Sequence, residues 1–187
     1  NEDFKPLDGG TMFISNSPFN FKPTVINGKY FSNSYGGLIN LDSLSIKPVF
    51  GNWAKWGIKN NKNIEEFITN LYTPAQINIY SPLPNLSNVS KQGFLLNWNK
   101  DEMMDSLQIT INIPIDSNYN QNGELKYTLW SKIIPDNGEF FIPGNLLTYG
   151  DTINISLSKL LSDTINNSKI NFTFNRFINT DIDYIVK

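Results

Sequence analysis

Apolar and polar residues alternate through the second half of the chain. Leu107, Ile109, Ile111, Ile113 and Ile115 share one parity, and Gln108, Thr110, Asn112 and Pro114 share the other. Phe94, Leu96 and Trp98 alternate in the same way with Leu95, Asn97 and Asn99. Ile153, Ile155 and Leu157 alternate with Asn154, Ser156 and Ser158, and Ile170, Phe172 and Phe174 with Asn171, Thr173 and Asn175. A period of two places each set on one face of a strand. These segments therefore predict strands with one buried and one wetted face, as in antiparallel sheets packed face to face.

Turn signals separate them. Pro82, Pro84 and Asn85 follow an expected strand at Gln76–Tyr80, and Asn122-Gly123 precedes an expected strand at Leu125–Lys132. Asp136-Asn137-Gly138 divides that strand from Glu139–Ile142. Asn and Gly tolerate positive φ and suit tight hairpin connections. Pro143-Gly144-Asn145 then breaks the chain, with Leu146-Leu147 expected to pack a short helical turn. The spacing predicts about seven strands between 76 and 187.

The first 73 residues are less regular. Phe19, Phe21, Val25, Tyr30 and Phe31 surround Asn27-Gly28 and suggest a hairpin there. Ala54, Trp56 and Ile58 alternate with Trp53, Lys55 and Gly57, which reads as a strand. Ile64, Phe67, Ile68 and Leu71 then follow an i, i+3, i+4, i+7 pattern. With Asn63 as cap and Glu65 and Glu66 in the first turn, this predicts one short amphipathic helix ending before Pro74. The expected organisation is a β-rich N-terminal extension or subdomain over 1–73 and a β-sandwich over 74–187.

Composition narrows the chemistry. Of 187 residues 40% are hydrophobic, with 13 Phe, 8 Tyr and 4 Trp, which suffices for an ordinary core. Only 17% are charged, so Asn, Ser and Thr must supply much of the polar surface. The net charge of -2 without a basic run argues against nucleic acid as a partner. The absence of both Cys and His excludes Ser-His-Asp and Cys-His catalysis, the usual zinc sites, common haem and iron–sulfur ligation, and any disulfide. No cofactor is expected. No run approaches the roughly 20 apolar residues of a membrane-spanning helix. No signal peptide is visible and position 1 is Asn, as a processed or trimmed chain would have it. Export to the bacterial envelope or surface is expected on composition and architecture. Gly9-Gly10 and Gly36-Gly37 lack the strand–loop–helix setting of a phosphate loop and read as turns.

The run Phe94-Leu95-Leu96-Asn97-Trp98-Asn99, the strand Leu107–Ile115, the turn Gly138-Glu139-Phe140-Phe141-Ile142-Pro143 with Leu146-Leu147, and the strand Ile153–Leu157 together resemble immunoglobulin-like domains of bacterial surface proteins and lipoproteins, particularly uncharacterised ones from the Bacteroidetes. The resemblance implies an immunoglobulin-like sandwich, export, and tethering through a lipidated Cys. That Cys is not among the residues of this chain, and neither is the disulfide of antibody domains.

Candidate sites are few. Trp53 and Trp56, with Tyr30 and Tyr35, offer aromatic rings on which a sugar face could stack. Residues 53 and 56 fall on opposite faces of a strand, so at least one is expected in a core. Trp98 shares its parity with Phe94 and Leu96 and is expected to be buried. Trp130, grouped with Thr128 and Lys132, reads as outward-facing, and so either binds a ligand or is covered by the N-terminal extension. Asp101, Glu102 and Asp105 cluster after Trp98, and Asp181 and Asp183 share a strand face. Paired carboxylates serve glycoside hydrolysis when held across a cleft, and oxygen clusters can bind calcium. Acids adjacent in one loop more commonly form a solvated turn, and the EF-hand spacing is absent. The expected function is a non-catalytic envelope or surface protein with a structural or adhesive role. Its partner would be a surface protein or a glycan, and a carbohydrate-binding module is the alternative.

Overall fold

The computed structural model describes residues 11–14, 17–19, 24–26, 29–31, 50–59, 66–84, 87–119, 125–148, 150–166 and 171–187. The described residues are mostly strand. The chain divides into two compact units, one of Asn1–Thr73 with Thr164–Thr173, the other of Pro74–Asp163 with Phe174–Lys187.

The first unit contains β1 (Thr11–Ile14), β2 (Ser17–Phe19), β3 (Thr24–Ile26), β4 (Lys29–Phe31), β5 (Asn52–Lys59) and β6 (Phe67–Thr73). One antiparallel sheet has the order β2-β1-β5-β6, and β3 pairs with β4. Ile26 lies opposite Lys29, so β3 and β4 pair as the expected hairpin, with Asn27-Gly28 outside the described residues.

The short helix expected before Pro74 is instead the strand β6. Its register with β5 runs from Asn52 opposite Thr73 to Ile58 opposite Phe67. Ile68 belongs to the apolar stripe of the expected helix, yet it is 56% exposed. The segment satisfies both periods, because Phe67, Thr69 and Leu71 also share a parity. Its Ile, Thr and Tyr residues favour a pleated surface. A helix this short gains little alone, whereas β5 supplies a complete ladder of backbone partners.

The second unit holds β7 (Ile79–Ser81), β8 (Ser87–Val89), β9 (Gly93–Trp98), β10 (Ser106–Tyr119), β11 (Leu125–Pro135), β12 (Glu139–Pro143), β13 (Thr152–Asn166) and β14 (Asn171–Val186). A 3-10 turn at Gly144–Leu146 follows β12. One sheet has the order β11-β10-β13-β14-β8, the other β12-β9-β7. The β10–β11, β10–β13, β9–β12 and β7–β9 pairs are antiparallel, and β14 pairs with β8 in parallel.

Both sheets supply one core. Phe94, Leu96, Trp98 and Ile142 from the smaller sheet meet Leu107, Ile109, Ile111, Ile153, Ile155, Leu157, Ile182, Tyr184 and Val186 from the larger. The parity seen in the sequence thus selects the buried faces of β9, β10 and β13. Trp130 departs from its expected outward position. It lies opposite Ile111 in the β10–β11 register and packs half-buried against the core, 6.2 Å from Phe140 ring to ring. Leu129-Trp130 and Ile133-Ile134 each place two apolar residues side by side, so alternation within β11 is ambiguous until pairing with β10 fixes the face. Leu129 and Ile133 then point outward. Tyr184 is fully buried, its ring edge against Phe94, and its hydroxyl donates to the Pro82 carbonyl at 2.7 Å.

Ile155→Ala is expected to cost about 2–5 kcal/mol, since the side chain is enclosed on all sides. Ile133→Ala on the wetted face should stay within about 0.5 kcal/mol of the parent, and urea unfolding of both variants measures the contrast. Burial raises the Tyr184 phenol to about 12. The folded value exceeds the unfolded value of about 10, so the linked stability is complete below pH 10 and is lost as pH rises toward 12. Tyr184→Phe should flatten that alkaline loss in pH-dependent unfolding.

Candidate functional site

The Asp101-Glu102-Asp105 segment does not stay together as a solvated acidic turn. Glu102 is exposed and binds the Lys100 ammonium at 2.7 Å, and this hydrogen bond raises the Lys100 pKa. Asp105 is also exposed, and its carbonyl accepts the Asp136 N–H. Asp101 turns inward and is 3% exposed. Its Oδ2 accepts the Ala75 N–H at 2.7 Å and its Oδ1 the Met103 N–H at 3.1 Å. The reason for the inward turn is a set of backbone donors that a side chain of this length reaches only from inside. Among the described residues no group of three or more acidic, His or Cys side chains converges on a metal position.

Asp101 instead joins a buried polar cluster. The Asp136 carboxylate accepts the Trp98 indole N–H at 2.7 Å through Oδ1 and the Asp101 N–H at 3.2 Å through Oδ2. The Lys159 ammonium lies 2.8 Å from the same Oδ2 and 4.0 Å from Oδ2 of Asp101. The side chains of Lys159, Asp136 and Asp101 are at most 1% exposed. The approach of Nζ to Asp136 is close but is not aligned as a hydrogen bond.

Each residue is delivered by a different element. Trp98 ends β9, and Asp101 follows it in the loop. Asp136 leaves β11 into the turn before β12, where Gly138 has φ +83°. A Cβ at Gly138 would stand 3.1 Å from the Trp98 carbonyl, so any side chain here adds a tight contact to an already strained positive φ. Lys159 continues the inward parity of Ile153, Ile155 and Leu157 along β13. That parity was the available signal for Lys159. Asp136 carried none, because Asp-Asn-Gly reads simply as a turn.

The outer face of the large sheet carries a different arrangement. Gln108 and Thr110 share the Ser131 hydroxyl, Asn112 donates to Asn154, and Asn154 donates to Asp183. Ser156 donates to Asn179, which donates to Asp181. Asp181 and Asp183 therefore share a face, as expected, but each is engaged by a neighbouring amide. The result is a set of hydrogen-bonded polar groups across β11, β10, β13 and β14, on the parity opposite to the core, where Leu129 and Ile133 are also exposed.

Among the expected aromatic residues, Trp53 is 63% exposed and stands 6.0 Å from the Tyr72 ring. Trp56 is half-buried on the other face of β5. Tyr30 belongs to β4, with its side chain outside the described residues, and Tyr35 also lies outside them. No helix among the described residues is long and apolar enough to cross a membrane. Comparison with protein-family models, with curated proteins and with solved structures returned no match.

Removing one partner of a buried charge pair strands the other. Lys159→Met leaves two carboxylates facing an apolar core and is expected to cost about 3–5 kcal/mol in denaturant unfolding. Lys100→Met, on the exposed pair, should leave the unfolding midpoint essentially unchanged.

Proposed function

We propose that this chain is a non-catalytic structural or adhesive module of a bacterial surface or envelope protein, with residues 74–187 folded as an immunoglobulin-like sandwich. The observation that carries the reading is the division of labour within the large sheet. One face is committed to the core, and the other carries three hydrogen-bonded sets of amide, hydroxyl and carboxylate groups beside the exposed Leu129 and Ile133. Such a face meets water or a hydroxyl-rich partner equally well, since each donor and acceptor can exchange a neighbour for a ligand hydroxyl. Low charge and the resemblance of the Trp98 and Gly138–Pro143 segments to surface-protein domains support the same reading. On intact producing cells, a membrane-impermeant amine reagent should label the protein. Labelling only after lysis would end the surface assignment.

A carbohydrate-binding reading rests on Trp53, whose exposed ring in a sheet is available for stacking on a sugar. Trp53→Phe is expected to remove most of the acrylamide-quenchable tryptophan fluorescence, since Trp98 is buried and Trp56 and Trp130 are half-buried. Binding of an array glycan should protect Trp53 from the quencher. A glycan array without hits, or hits that survive Trp53→Ala unchanged, would remove this reading.

A further inference from the structure

We infer that Lys159 and Asp136 form a covalent amide cross-link in the folded protein. The inference is independent of where the protein resides or what it binds. It rests on four features of the buried cluster. The first is contact. Lys159 Nζ lies 2.8 Å from Asp136 Oδ2, and the carboxyl carbon is at most one C–O bond, about 1.23 Å, further away. The second is direction. Nζ makes no hydrogen bond to Asp136, although no other carboxylate among the described residues lies as close to it. A held nucleophile and electrophile at contact distance need no encounter step.

The third feature is polarisation. Trp98 Nε1–H donates to Asp136 Oδ1 at 2.7 Å and the Asp101 N–H donates to Oδ2 at 3.2 Å. Attack on the carboxyl carbon places negative charge on Oδ1, where the indole donor already points. Fixed donors of this kind stabilise a tetrahedral oxyanion without reorganisation. The fourth is dryness. Lys159 and Asp136 have no exposed side-chain surface, so water that would favour hydrolysis is excluded.

The reaction balances without any oxidant or co-reactant. One ammonium proton passes from Lys159 Nζ to Asp136 Oδ2 as the pair reorients, leaving an amine facing a carboxylic acid. The Nζ lone pair attacks Cγ, and the N–C bond forms. A proton leaves the nitrogen and reaches Oδ2. The C–O bond to Oδ2 breaks, and one water molecule departs. The Asp101 carboxylate, 4.0 Å from Nζ, is the group placed to carry that proton. It must close by roughly 1 Å to reach hydrogen-bond distance, as such groups do when a reacting complex tightens. The product would tie β13 to the turn between β11 and β12.

Intact-mass spectrometry of the purified, folded chain tests this directly. The expected mass is one water lighter than the sequence, and proteolysis should release a branched peptide joining position 136 to position 159. A mass equal to the sequence overturns the inference. So does a water loss that maps elsewhere, for example to Asp8-Gly9, or a linear peptide carrying a free Lys159 side chain. Lys159→Arg keeps a cation but cannot form this amide, and it should have its full sequence mass. Asp136→Asn can form the same product with loss of ammonia instead of water. Asp101→Asn should leave a mixture of cross-linked and uncross-linked chains, and complete cross-linking there would remove the proposed proton-carrying role. The wild-type measurement stands even if a variant fails to fold.

Discussion

Lys159 is buried beside a core of aliphatic and aromatic side chains, and the arrangement of the second unit follows from how that one amine is accommodated. An isolated ammonium in such a place would be prohibitively desolvated. Its position is tolerable only because Asp136 and Asp101 face it, and they face it only because the turns after β11 and β9 converge. Those turns are in turn pinned by the Trp98 indole on Asp136, by Asp101 on the Ala75 and Met103 amides, and by the Asp136 amide on the Asp105 carbonyl. The aliphatic core supplies most of the apolar burial. The polar cluster decides which loops may lie over its end, since any register that moved one member would leave the others buried without partners.

Specificity of this kind complements what the sheets alone provide. A strand whose faces differ strongly, such as β10, cannot slip by one residue without turning Ile109 and Ile111 to water. A slip of two would preserve that alternation. It would be opposed by features that do not repeat with period two: the inward Lys159, the Trp98 indole, and the positive-φ glycine at 138 that fits beneath the Trp98 carbonyl. Periodicity thus chooses the face, and the singular residues choose the position along it.

The same distinction explains what the sequence made legible. The strands with clean alternation, at 94–98, 107–113 and 153–157, are strands whose buried faces are those expected, because period two has one structural meaning when polar and apolar residues separate fully. Where they do not separate, the reading turned on information from elsewhere. Residues 67–71 fit a helical stripe as well as a strand, and the ladder offered by β5 decided between them. Leu129-Trp130 and Ile133-Ile134 left β11 without a defined face until it was paired. The polar cluster was hidden for a different reason. Its members lie in three separate segments, and two of them, Asp101 and Asp136, sit in stretches whose composition is that of ordinary turns.

A buried lysine also raises the question of what it does that Leu or Met could not. Replacement of a buried ion pair by well-packed apolar groups is often neutral or stabilising, so the pair has no general advantage in stability. Retaining it calls for a property that apolar side chains lack. One is loop placement through directed partners, which the hydrogen bonds of Asp136 and Asp101 already provide. Placement of the carboxylates needs a cation, but it does not need one that meets Asp136 at contact distance outside hydrogen-bond alignment. That detail separates the two explanations. A purely electrostatic role is served best by an ammonium aligned on the carboxylate, whereas bond formation is served by an amine at contact distance with a donor already on the opposite oxygen. The arrangement around Lys159 has contact without hydrogen-bond alignment and the Trp98 donor on the opposite oxygen, the features that the proposed bond uses and that packing alone does not call for.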